Sequence, residues 1–397
     1  MSYKPYDTYD KNDTAMDAWG RPKVYLDHSI LHGVFTYDVP NSLWIIKENG
    51  TELLDNSTST RVKSTGGRLV IDSGTILNEC GCLHSRTNPR YQPNRGHLFS
   101  TAIGLPNPTA DGVREFGLFN SENGVFFRLK KDGLYAVIRS DSIETKEELI
   151  NIPFSIDLSK GNVYDIQFQW RGVGDYNFFI ENPEIGKIVL VHKISFINRL
   201  DEQLSIQNPA IPVGFKSIFK TDFVSFWLGC FDVTSEGGGK IFSKYNQQGS
   251  NINGTSVSNG KMYSILALKF NKTFNGKLNT RDSVLRRIIT SAKDENKYKV
   301  IVTRDESTFD GTTWTNKGSN DNIQFSEGTD IDFTENQYCK TIMSGRTEID
   351  IKNELNNPIN DGSSDFTLTG GDFIIIQMRT DGSSKKAWAS FEWTEEV

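Results

Sequence analysis

Cys80-Gly81-Cys82-Leu83-His84, with His97 further on, is the densest supply of metal-ligating side chains in the chain. On a strand, positions 80, 82 and 84 share one face, and two thiolates with two imidazoles suit tetrahedral zinc. The spacing argues the other way. Structural zinc sites bring sulfurs together through C-x2-C knuckles, whereas neighbours on one strand face stand about 6 to 7 Å apart. The segment is read as small side chains packed on a strand beside a surface histidine. No metal and no cofactor is expected, and Cys80, Cys82, His84 and His97 are the candidates should a metal bind.

Glycoside hydrolysis needs two carboxylates across a cleft, one in an apolar setting that raises its pKa. Asp330 and Asp332 would share a strand face, and Glu115 and Glu122 flank aromatic residues, but among 50 acids no pair stands out. Asp330-x-Asp332 also lacks the further oxygen ligands and glycine of a calcium loop. Nucleophilic catalysis has no G-x-S-x-G elbow, and the five histidines (28, 32, 84, 97 and 192) stand in no triad-like context. His192 is placed on the outer face of a strand. Gly172-Val173-Gly174 lacks the third glycine of a dinucleotide fingerprint and reads as a turn, and no phosphate-cradling G-x-x-x-x-G-K is present. The expectation is a protein that is not an enzyme. Trp19, Trp44, Trp314, Tyr91 and Tyr245 are the rings best suited to stack on sugars.

The elements that must position these residues are strands. The 397 residues contain 36% hydrophobic and 24% charged side chains, 34 glycines and 11% aromatics, with few runs rich in Ala, Leu, Glu and Lys. That is a β composition. In Tyr164-Asp165-Ile166-Gln167-Phe168-Gln169-Trp170 the apolar side chains alternate with polar ones, the signature of a half-buried strand. Phe373-Ile374-Ile375-Ile376 and Phe223-Val224-Ser225-Phe226-Trp227-Leu228 are more continuously apolar and suit strands packed on both faces. Asn123-Gly124 and Asp132-Gly133 supply the positive φ angles of tight hairpins. Lys146 to Ile150, Leu200 to Ser205 and Arg281 to Ile289 are the best helix candidates, the last equally good as a strand.

Charges of both signs sum to −6 with no basic stripe, so nucleic acid is not an expected partner. No run approaches the 18 to 20 apolar residues of a spanning helix, the polar start does not read as a signal peptide, and four cysteines do not make a disulfide scaffold. No membrane partner is expected. Pro and Gly clusters divide the chain into an N-terminal arm (1–23), an N-terminal β-sandwich (24–235), a Gly/Ser/Asn-rich linker (236–260) and a C-terminal β-sandwich (261–397). The predicted fold is all-β, with two jelly-roll-like sandwiches and an extended arm.

Several segments in order carry a resemblance. They are Asp17-Ala18-Trp19-Gly20-Arg21-Pro22-Lys23-Val24, Asn88-Pro89-Arg90-Tyr91-Gln92-Pro93-Asn94-Arg95-Gly96, Gly117 to Phe127, Leu134 to Ser140, Phe168-Gln169-Trp170-Arg171-Gly172-Val173-Gly174, Val191-His192 and Asn208-Pro209-Ala210-Ile211-Pro212-Val213. Together with Leu266 to Phe270 and a final strand ending in Trp393, the chain resembles a family of virion structural proteins of tailed bacteriophages. Trp170-Arg171-Gly172 stands where that family usually has Trp-Leu-Gly, and the cysteine-histidine cluster is not part of its pattern. The resemblance implies a particle component made in the host bacterial cytoplasm, most often in the tail or baseplate, assembling with itself as a homo-oligomer and with other phage virion proteins. The alternatives are a capsid decoration or head-fibre protein, or a receptor module that binds a host surface glycan. Trp19, Arg21, Arg90, Tyr91, Arg95, Asn123, Gly124, Trp170, Gly172 and Gly174 are then assembly or fold-specifying positions rather than catalytic ones.

Overall fold

The computed structural model describes residues 28–396 apart from 93–94, 199–202, 237–242, 258–261, 293–296, 307–308, 310–311, 317–322, 330–336, 345–346, 351–365 and 380–384. Trp19, Arg21, Asp330, Asp332 and the predicted arm lie outside the described residues. The chain divides into two compact units. One holds residues up to 40 and 44–240, and the other holds 41–43 and 241–397.

Among its described residues the first unit has sixteen strands. These are β1 (His28–Val34), β2 (Trp44–Glu48), β3 (Thr51–Glu52), β4 (Val62–Thr65), β5 (Arg68–Asp72), β6 (Cys80–Ser85), β7 (His97–Gly104) and β8 (Gly112–Phe119). There follow β9 (Gly124–Lys130), β10 (Gly133–Ser140), β11 (Ile143–Leu149), β12 (Gly161–Phe168), β13 (Asp175–Asn182), β14 (Lys187–Ser195), β15 (Val213–Phe219) and β16 (Ser225–Ser235). They form two eight-stranded sheets. Sheet I runs β14-β13-β12-β7-β16-β5-β4 with β1 also on β16, and sheet II runs β11-β10-β9-β8-β15-β6-β2-β3.

Alternation decides which face is inside. On β12, Tyr164, Ile166 and Phe168 are fully buried, and Tyr164 packs its ring against Phe116 and Phe127 of sheet II. Phe127 meets Phe178, and Phe99 meets Phe215, across the same space. Burying a ring of this size stabilises by roughly 1.5 to 3 kcal/mol, so this aromatic layer pins the register of both sheets. A one-residue slip would turn every ring outward.

The second unit also has two sheets. One contains Ser243–Gly249, Lys385–Glu396, Ser283–Ala292 and Thr347–Asp350, with Thr255–Val257 and Phe366–Leu368 paired at its side. The other contains Thr315–Asn316, Ile323–Thr329, Met262–Phe270, Phe373–Arg379, Lys297–Thr303 and Gln337–Ser344. Leu266, Val300, Ile374 and Ile376 pack against Leu285, Ile288, Phe391 and Trp393 in one core. Phe373 and Ile375 point the other way, into a second cluster with Ala267, Ile301 and Phe309. The continuous apolar run is thus buried on both faces.

The all-β reading holds, three local expectations are corrected, and one open reading is decided in favour of a strand. Residues 146–149 belong to β11 because Glu144 and Glu147 reach Arg128 from the strand face, and Ser283–Ala292 is a strand hydrogen-bonded to the final strand. Residues 203–205 are irregular. The predicted linker carries strands Ser243–Gly249 and Thr255–Val257, both paired with Lys385–Glu396.

Candidate functional site

On β7 the residues Leu98, Ser100, Ala102 and Gly104 alternate with the core residues Phe99, Thr101 and Ile103 and face away from sheet II. Ser100, Ala102 and Gly104 are short, and the neighbouring strands carry longer side chains, so the register places a furrow along this part of β7 on the outer face of sheet I. Register sets its walls. Ser100 lies opposite Asp165 of β12 and, on the other side, opposite Asp232 of β16. Phe179 of β13 extends the same row beyond Asp165, and His32 of β1 extends it beyond Asp232. One step along, Leu98 lies between Gln167 and Thr234, with Asn177 beyond Gln167. The row therefore offers carboxylates, amides and hydroxyls in a plane.

At the far end the furrow meets Trp227, paired with Gly104. A Cβ on Gly104 would fall 2.4 Å from the indole, and one on Gly161 would fall 2.8 Å from it. The two glycines are required because the ring lies flat over them. Trp227 remains half-buried, with the Arg68 guanidinium 5.4 Å from its centroid.

Asp165 is recessed in the wall at 8% exposure. Burial, reinforced by the charge of Glu181 and opposed by a hydrogen bond from Ser100, lifts its carboxyl pKa to about 6. Its Oδ1 is buried without a hydrogen-bond partner. Asp232 differs in that it accepts a hydrogen bond from Ser29 Oγ at 2.5 Å. Gln167 is already engaged with Glu236 at 2.5 Å.

A second charged group occupies the outer face of sheet II. Arg128 donates from Nε and Nη2 to Glu115 at 2.8 and 2.5 Å, from Nη1 and Nη2 to Glu144 at 2.6 and 2.5 Å, and from Nη1 to Glu147 at 2.7 Å. Arg139 adds a contact to Glu144 at 2.9 Å, and Lys130 adds one to Glu147 at 2.6 Å. The guanidinium contacts hold Glu144 down to about 2. Against the pull of burial, Lys130 and Arg128 also lower Glu147. Beneath them Phe126 lies under both guanidinium groups, 5.4 Å from Arg128 and 4.9 Å from Arg139. Glu115 and Glu144 share Nη2 and so are no more than about 5 Å apart, but Glu144, held ionised by its guanidinium contacts, cannot donate a proton. This network has used most of its bonding capacity internally.

The cysteine-histidine residues are not brought together. Cys82 and His84 share the outer face of β6, with Sγ 3.5 Å from Nδ1. Burial pushes the Cys82 thiol up to about 12 and the His84 imidazole down to about 3, so the pair stays neutral. His84 is half-buried rather than on the surface. His97 belongs to sheet I and faces the core, 5.2 Å from the Tyr91 ring and 5.7 Å from Phe168. Among the described residues no group of three or more His, Cys, Asp or Glu is placed to hold a metal.

Several motif residues have local structural work. Tyr91 is buried, meets Trp170 edge to face at 5.5 Å, and accepts a hydrogen bond from the Arg171 amide. Trp170 Nε1 donates to the Ile206 carbonyl at 2.7 Å. Gly172 has φ +80°, and a Cβ on Gly174 would fall 1.7 Å from the Gln169 carbonyl. Arg90 and Arg95 are half-buried in the segment before β7. Asn120 organises the Asn123 turn by accepting from the amides of Glu122 and Asn123. Gly124 does not supply a positive φ. Glycine is needed there because a Cβ would fall 2.6 Å from Phe119 Cβ, whereas Gly133 has φ +147°.

The proposed stacking rings fare differently. Trp44 is core, packed on Phe35 and Phe231. Trp314 is half-buried against Phe309 and Phe373, and Tyr245 lies on a strand of the second unit. His192 faces the core side and pairs with Glu148 at 3.1 Å, contrary to the outer-face expectation. Trp227, Asp165 and Asp232 are the residues missed from sequence. The alternation around Asp165 and the Gly104 and Gly161 positions were the only local signals.

No protein-family model matches the chain, and no curated protein matches it. Solved structures do. A glycosyl hydrolase family protein from Mycobacterium fortuitum is 15% identical over 52% of this chain and 99% of its own, with a TM-score of 0.38. A β-1,3-glucanase from Mycobacterium marinum is 14% identical over 52% and 98%, with a TM-score of 0.37. Arcelin-5, a lectin-like defense protein from Phaseolus vulgaris, is 12% identical over 52% and 97%, with a TM-score of 0.34. With glycosyl hydrolases and a glucanase among the similar structures, the expectation that the protein is not an enzyme is corrected.

Proposed function

We propose that the N-terminal unit binds carbohydrate in the furrow along β7. The observation that carries this reading is the row Asp165, Ser100 and Asp232, with Gln167 and Thr234 beside it, running toward a tryptophan ring laid flat on two glycines. Sugars present hydroxyl pairs around an apolar C–H face. Planar carboxylates and amides answer the hydroxyls, and an indole answers the apolar face. The resemblance to tailed-phage virion proteins supports a host surface glycan as the target, displayed to a particle that carries this chain as one of its components.

The test is a glycan array spanning bacterial surface polysaccharides and β-glucans, probed with the labelled full-length protein. Binding is expected to at least one class. Trp227→Ala and Thr234→Ala are each expected to weaken it about tenfold, or about 1.4 kcal/mol, with an unchanged circular dichroism spectrum. Lys146→Ala, on the edge of sheet II, leaves it unaltered. Absence of binding throughout the array, or binding indifferent to Trp227, refutes the reading.

A further inference from the structure

Resting on the reading of the furrow as a glycan site, we propose that the furrow also cleaves a glycosidic bond with inversion, Asp165 serving as the acid and Asp232 as the base. Three observations converge. The two residues lie in one cross-strand row, separated by β7 alone. Two strand spacings put their Cα atoms about 9.4 to 9.8 Å apart, nearer the wider of the two carboxyl separations that glycosidases use. Inverting glycosidases place their carboxyl groups about 6.5 to 9.5 Å apart to admit a water, whereas retaining ones need about 5 to 5.5 Å, close to a single strand spacing.

The residue between them is Ser100, whose short side chain leaves room above the floor. Finally, the two carboxyl groups sit in unlike settings. Asp165 is nine-tenths buried with an unpartnered oxygen, and Asp232 is half-buried and accepts a hydroxyl hydrogen bond. Burial disfavours the charged form of the first, and the second is the more exposed carboxyl of the pair.

The step balances with water alone. Asp165 gives its proton to the glycosidic oxygen as the bond from that oxygen to the anomeric carbon breaks. A water held by Asp232 attacks the anomeric carbon from the opposite face and loses one proton to that carboxylate. One water is consumed, two sugar chains leave, and the carboxyl groups return to their starting states by proton exchange with solvent. The Glu115 and Glu144 pair on sheet II cannot take this role, because Arg128 holds both as its partners and Glu144 stays ionised.

The experiment incubates the full-length protein with each polysaccharide that the array scores as bound, measures new reducing ends, and reads the configuration of the fresh anomer by proton NMR. Inverted product is expected. Asp165→Asn and Asp232→Asn are each expected to lower the rate at least 100-fold, with a circular dichroism spectrum and urea midpoint that show they fold. Absence of reducing ends from a bound polysaccharide, retained configuration, or either variant cleaving at the wild-type rate overturns the proposal and leaves the binding reading standing. A wild-type protein that binds nothing on the array overturns both.

Discussion

Replacing Arg128 by Met removes the guanidinium that hydrogen-bonds a buried carboxylate, and the structure sets the size of the effect. Glu115 is 2% exposed, and Arg128 binds it through two nitrogens. Glu144 and Glu147 are about a third exposed, so water solvates them once the guanidinium is gone. The cost therefore falls chiefly on Glu115. Leaving a charge buried without its partner costs roughly 3 to 5 kcal/mol, but protonation caps that penalty. Moving a carboxyl from its ordinary value of ~4.3 to 7 corresponds to about 3.7 kcal/mol at about 1.36 kcal/mol per pH unit. Arg128→Met should therefore destabilise by about 3 to 4 kcal/mol at pH 7 and by about 1 kcal/mol at pH 5. Urea denaturation of the full chain at both pH values measures this. Arg128→Met combined with Glu115→Gln should recover most of the loss at pH 7, since an amide carries no charge to strand. A pH-independent loss, or a double variant no better than the single one, refutes the reasoning.

Other consequences follow from single contacts. Gly174→Ala puts a methyl group 1.7 Å from the Gln169 carbonyl and should cost about 3 kcal/mol or more, seen as a lowered urea midpoint. With Glu144 held down to about 2 from the usual 4.5, its share of stability is complete above pH 4.5. That share disappears as pH falls toward 2, and Glu144→Gln should flatten this part of the acid-unfolding curve. Iodoacetamide at pH 8 should label Cys230, which is exposed, and spare buried Cys80 and Cys82 in the native protein, as peptide mass spectrometry will show. Fast labelling of Cys82 would contradict the neutral thiol inferred from its burial.

Much of the fold was legible because it is written in local alternation. The pattern in Tyr164 to Phe168 assigns two rings and one aliphatic side chain to the core, and the core holds them. The unbroken Phe373 to Ile376 run announced burial on both faces, which two separate clusters provide. Misreadings arose where tertiary partners override local pattern. Lys146 to Ile150 is a helix candidate by local composition, but Arg128 gathers Glu144 and Glu147 onto a strand. Cys80, Cys82 and His84 do share a face as their spacing implied, yet His97 was assigned to their group by proximity in sequence alone. A sheet boundary separates them.

The furrow was illegible for a stronger reason. Asp165, Ser100 and Asp232 are remote in sequence and meet only because β7 pairs with β12 on one side and β16 on the other. No local signal encodes which strands flank which. What distinguishes this row from the Arg128 network is unspent bonding capacity. Arg128 satisfies three carboxylates and leaves the sheet II face electrically closed, whereas Asp165 keeps a buried oxygen with no partner and Trp227 keeps a half-exposed ring. An unsatisfied buried acceptor costs about 1 to 3 kcal/mol. A sheet face that carries such a cost beside an aromatic platform is the one on which a ligand would recover it, so occupancy of the furrow should stabilise the N-terminal unit. A rise in its urea midpoint with added bound polysaccharide, absent in Trp227→Ala, is the expected result. An unchanged midpoint at saturating polysaccharide would place the glycan elsewhere on the molecule.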